Sequence, residues 1–64
     1  MIKKFQTYVA LFDEQSNLLN RLTINSAVDL LAVSGVPRSN AMTVLRRMAR
    51  YKYIVLTANF VEVF

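Results

Sequence analysis

The side chains in this sequence best suited to chemistry are cations. Arg38, Arg46, Arg47, Arg50 and Lys52 lie between Asp29 and Glu62 with no acid among them. Short hydrogen-bonding residues, Ser39, Asn40 and Thr43, are interleaved with them. Such a segment repels itself unless it faces water or a polyanion. Nucleic acid is the common polyanionic partner and acidic membrane the less common one. The plainer alternative is an ordinary solvated helix face.

Catalysis lacks its parts. The 64 residues include no Cys and no His, which removes thiolate metal sites, the commonest zinc ligand and the usual general base at neutral pH. The acids are Asp13, Glu14, Asp29 and Glu62. Asp13 and Glu14 are adjacent and diverge in any regular element, so they make a poor acid/base pair. No Gly-rich phosphate loop and no nucleophile beside a base is present. Tyr8, Tyr51 and Tyr53 read as packing residues. The expectation is a protein that is not an enzyme and needs no cofactor, metal or small-molecule ligand.

The elements that position the cations are marked by the single Gly and single Pro, Gly35 and Pro37. Residues 26–34 read as a short helix capped by Asn25 or Ser26, with Asp29 suited to the N-terminal dipole and Gly35 at the stop. Residues 37–50 read as a second helix with Pro37 in its first turn. Ala41, Leu45 and Met48 fall on one stripe of it, with Val44 and Ala49 beside them. Ser39, Asn40, Thr43, Arg46, Arg47 and Arg50 occupy the opposite side. A helix built for solubility alone more often mixes both signs of charge for i,i+4 pairing. Residues 53–57 and 60–64 are β-branched and aromatic and predict a C-terminal hairpin. Its turn would be Ala58-Asn59, since Asn accepts positive φ. Leu22-Thr23-Ile24 would add a third short strand. At the N-terminus, Phe5, Tyr8, Val9, Phe12 and Leu19 fit a helix. Phe5, Thr7, Val9 and Leu11 also alternate like a strand with a turn at Asp13 to Asn17, and the helix is the favoured reading.

Length and composition bound the rest. One α+β domain spanning 1–64 is expected. Folding a chain this short buries only about 60% of its unfolded surface. With disulfides excluded, the 55% hydrophobic content must supply the core, helped by self-association. Met1-Ile2-Lys3-Lys4 resembles a charged n-region, but the apolar run after it is broken by Gln6 and Thr7 and ends at Asp13-Glu14. No stretch approaches the roughly 18 apolar residues of a membrane span. A cytoplasmic location and no membrane partner are therefore expected.

Two helices joined by a tight turn at Gly35, the second one basic, form a helix-turn-helix. Residues 26–54 resemble the core of bacterial winged helix-turn-helix regulators of the IclR type and its ArsR and MarR relatives. The resemblance lies in Leu30-Leu31-Ala32-Val33-Ser34-Gly35-Val36, the polar cluster Pro37-Arg38-Ser39-Asn40, and Ala41, Leu45 and Met48 at the family spacing. Tyr53-Ile54-Val55 then opens the wing strand. The resemblance implies about three helices with a C-terminal β-hairpin wing. It also implies sequence-specific double-stranded DNA binding in transcription regulation, with the helix at about 37–51 in the major groove. Arg38, Ser39, Asn40, Met42, Thr43 and Arg46 then become DNA-facing. Arg can fork onto guanine O6 and N7, Asn onto adenine N6 and N7, and Thr and Met methyls can touch the thymine methyl. Arg47, Arg50 and Lys52 are suited to phosphates. Partial core packing is the alternative for Met42, and solvated surface for Arg47 and Arg50.

Two departures from the family stand out. Lys52 replaces the usual Gly after the recognition helix, so it must take an unusual backbone conformation or the helix must end differently. The Ala58-Asn59 wing tip offers no cation to a minor groove. A homodimer is expected, because Ile54, Leu56, Val61 and Val63 facing inward leave Val55, Phe60 and Phe64 outside. The competing functions are a protein-interaction module on the same fold, such as a phage or plasmid factor gripping a host protein, and an accessory DNA binder in replication or recombination.

Overall fold

Ala41, Leu45 and Met48 recur at helical spacing, and all three are fully buried on one stripe of α3 (Arg38–Arg50). Around this helix the computed structural model, which describes residues 3–16 and 21–63, assembles α1 (Lys3–Gln15), β1 (Arg21–Thr23), α2 (Ile24–Val33), β2 (Ile54–Leu56) and β3 (Phe60–Val63). The chain order is α1-β1-α2-α3-β2-β3, and the sheet is antiparallel with β3 between β1 and β2. This is an α+β winged helix-turn-helix with the β2–β3 hairpin as its wing. Among the described residues, no helix is long and apolar enough to cross a membrane.

The N-terminal segment is helical. Phe5 and Phe12, two helical turns apart, are buried, and Tyr8 and Val9 pack half-buried beside them. The helical alternative wins because that spacing collects both Phe rings on one face, whereas a strand would separate them. Ser16 is buried just past α1, and its hydroxyl donates to the Asp13 carbonyl. Leu19, Asn17 and Phe64, which enter the sequence expectations, lie outside the described residues.

The start of α2 differs from expectation. Its N-cap is Thr23, whose Oγ1 accepts from the Ser26 N–H at 3.2 Å and donates to Ser26 Oγ at 3.0 Å. Strand β1 therefore runs straight into α2, and neither Asn25 nor Ser26 is the cap. Asp29 consequently falls beyond the first turn, where the helix dipole has little hold on it. Pro37 likewise stands one position earlier than expected, at the N-cap of α3, which has no side-chain cap.

Both helices of the motif end the same way. After α2, the Gly35 N–H donates to the Ala32 carbonyl and the Val36 N–H to that of Leu31. After α3, the Lys52 N–H donates to Ala49 and the Tyr53 N–H to Met48. These are the paired bonds of a Schellman stop. The residue with positive φ is Gly35 at 100° in the first and Lys52 at 64° in the second. Lys52 thus adopts the left-handed backbone conformation in which glycine is the usual residue.

The sheet closes the core from the other side. Leu22, Val61 and Leu56 are aligned across the strands, with Ile54 paired to Val63 on the same face. Leu22, Ile54, Val61 and Val63 are buried and Leu56 half-buried. The hairpin turn is not held by Asn in positive φ, since Lys52 is the only described non-Gly residue there. Thr57 does the work instead. Its Oγ1 accepts from the Phe60 N–H at 3.0 Å and donates to the Phe60 carbonyl at 3.1 Å.

Candidate nucleic-acid interface

A helix that buries one stripe must expose the opposite one. On α3 the buried stripe centres on Ala41, Leu45 and Met48, so Ser39, Thr43, Arg46 and Arg50 form the outward ridge, and all four are exposed. Asn40 and Arg47 are also exposed and flank that ridge toward α1, where both line a cleft of about 600 Å³. Met42 lies on the other flank, half-buried against the core, so packing claims part of its side chain. Lys52 is exposed just beyond the helix.

The free charge is distributed unevenly. Two ion pairs join described residues: Arg38 to Asp29 at 2.6 Å and Arg21 to Glu62 at 4.0 Å. Arg46, Arg47, Arg50 and Lys52 form none among the described residues, nor do Lys3 and Lys4. Asp13 and Glu14, near the C-terminal end of α1, form no ion pair among the described residues. One helix face therefore keeps Arg46, Arg47 and Arg50 with no carboxylate to neutralise them. Arg47 and Arg50 also sit in the last turn of α3, where cations complement the helix dipole.

Arg38 has a partner that sequence reading missed. Asp29 lies on α2 and Arg38 opens α3, and the turn at Ser34–Pro37 brings them together. Both side chains are more than half exposed. Such a pair contributes roughly 0–1 kcal/mol, so a stronger anion can draw Arg38 away.

The wing contributes differently from α3. Its tip is tied to the start of α2, because the Ile24 N–H donates to the Asn59 carbonyl at 3.2 Å. The groove beside it, formed by residues 23–25 and 58–60, contains no charged side chain. On the outer face of the sheet Phe60 is half-buried, with the Arg21 guanidinium 5.2 Å from its ring centroid. Lys4, like Lys3 and Arg21, stands outside the site expected from the sequence. It lines the α1–α3 cleft together with Arg47. Its only sequence signal was a charged N-terminus.

Among the described residues, no group of His, Cys, Asp and Glu could hold a metal ion. No family model, curated protein or solved structure was found to match the chain. Fold and surface together define a winged helix-turn-helix whose second helix presents a basic, hydrogen-bonding face.

Proposed function

We propose that this protein binds double-stranded DNA sequence-specifically as a small cytoplasmic transcriptional regulator, with α3 in the major groove. The observation that carries this reading is the exposed face of α3. It combines Ser39, Asn40 and Thr43, which can hydrogen-bond base edges, with Arg46, Arg47 and Arg50, which have no intramolecular anion among the described residues. A helix about 10–12 Å across fits a major groove about 12 Å wide. Arg38, Ser39, Asn40, Thr43 and Arg46 are assigned to base edges, with Met42 offering what its packing leaves exposed. Arg47, Arg50 and Lys52 are assigned to phosphates. The likeness to IclR-, ArsR- and MarR-type regulators belongs to the same proposal.

A selection of bound duplexes from random sequence, followed by a salt titration on the enriched site, tests it. Enrichment of a defined motif is expected, with log K falling as log salt rises. Three phosphate contacts per protomer give a slope near −2.7, from about −0.9 per contact. Absence of an enriched motif would remove the sequence-specific reading. The second reading is a protein-interaction module, favoured by a wing tip that carries no cation and is bonded to α2. It predicts no salt-dependent duplex binding at all.

A further inference from the structure

The cleft between α1 and α3 carries Lys4 and Tyr8 on one wall and Arg47 on the other, and among the described residues no carboxylate lines it. Its floor includes buried Phe5 and half-buried Val44. The acids of α1 are nine and ten residues beyond Lys4, about 14 Å along the helix at 1.5 Å per residue. Two cations from separate elements thus share one open, acid-free recess with a partly apolar floor.

On the DNA-binding reading, the position of this recess decides what fills it. A helix in the major groove nearly spans it, so whatever packs beside that helix meets the phosphodiester strand that borders the groove. We infer that the α1–α3 cleft seats that strand, with one phosphate between Lys4 and Arg47, the Tyr8 hydroxyl donating to it, and the deoxyribose against Phe5 and Val44. The DNA interface then includes the first two turns of α1, which the helix-turn-helix pattern alone does not specify. The cleft volume of about 600 Å³ leaves room for a sugar–phosphate unit.

The test uses the full chain on its selected duplex, between about 50 and 200 mM salt. Lys4→Ala and Arg47→Ala should each weaken binding several-fold, and the double variant should reduce the salt slope by about 0.9, the share of the one phosphate they hold together. Lys4→Arg should restore binding. Lys3→Ala removes the same charge from outside the cleft and should change little. Circular dichroism checks each fold, and Lys4 is exposed, so its loss should leave the helix intact. A scan of single neutral methylphosphonates should find one backbone position to which the wild-type protein is sensitive and the Lys4→Ala/Arg47→Ala double variant is not. If Lys4→Ala behaves like Lys3→Ala, or no such position exists, the cleft assignment is overturned while DNA binding stands. If the wild-type chain binds no duplex at any salt, both readings fall together.

Discussion

Lys52→Gly separates backbone strain from charge at a single position. Lys52 occupies the left-handed site of the stop after α3 with φ of 64°, the role that Gly35 fills after α2. Holding an L-residue there costs about 1–2 kcal/mol. Glycine removes that strain but adds about 0.5–1 kcal/mol of chain entropy to be lost on folding. Taken at mid-range, the balance is a gain of about 0.8 kcal/mol. In a domain of this size each kcal/mol moves the melting temperature by about 4–8 °C, so the rise should be about 3–6 °C. Lys52→Ala keeps the Cβ and the strain, and should show no such rise. Both variants lose the same cation and should weaken duplex binding alike, with the salt slope reduced by about 0.9 if Lys52 meets a phosphate. Thermal melts followed by circular dichroism give the comparison. A Lys52→Gly variant that melts at or below Lys52→Ala would refute the assignment of strain to this residue.

Other substitutions address the core, the interface and the wing. Leu45 is fully buried at the centre of the α3 stripe, so Leu45→Ala should destabilise by roughly 2–5 kcal/mol, and a near-normal melt would contradict its anchoring role. Asn40→Ala should cost on the order of 1–3 kcal/mol on the selected site and less on random duplex, whereas equal losses would assign Asn40 to the backbone. Arg50→Ala should weaken all duplexes alike and flatten the salt dependence, and an unchanged slope would return Arg50 to solvated surface. Thr57→Val removes both side-chain hydrogen bonds to Phe60 at nearly constant shape and leaves the backbone bond from the Thr57 N–H to the Phe60 carbonyl, so the hairpin should lose about 1 kcal/mol, visible as faster amide exchange at Phe60.

The parts of this fold legible in the sequence are those governed by local periodicity. The stripe of Ala41, Leu45 and Met48 requires no tertiary knowledge, and Gly35 marks a stop whose φ of 100° most side chains resist. Where two periods fitted equally, as in α1, packing had to decide, and it did so by burying Phe5 and Phe12 together. The N-cap at Thr23 was obscured because Thr23 also ends a strand, so one residue serves two elements. At the wing, Asn59 in positive φ was the natural expectation, yet a Thr hydroxyl can close the same turn without it. The pairing of Arg38 with Asp29 and the shared cleft of Lys4 and Arg47 depend on how helices cross, which residue order alone does not encode.

If the chain binds DNA as proposed, its stoichiometry there depends on surface and size together. Among the described residues Val33, Tyr51 and Val55 are the exposed large apolar ones, but they lie on or beside three different elements and form no single sequence-local face. Phe60, expected to face outward, is half-buried beneath Arg21, while Phe5 and Phe12 complete the core. Of the described part of the expected dimer face Val55 stays exposed, which is small for a stable apolar contact between free protomers, while Phe64 lies outside the described residues. The Cα dimensions are 27 × 24 × 21 Å. Two touching protomers of this size can place their two α3 helices near the ~34 Å of one DNA turn. A palindromic site would supply the alignment that the protein surface alone lacks. Sedimentation should accordingly give the 7.3 kDa monomer in free solution and two protomers on one site-length duplex. A stable dimer without DNA would show that the exposed apolar surface has been underestimated. One protomer per duplex, at concentrations well above the DNA affinity, would rule out the two-fold arrangement.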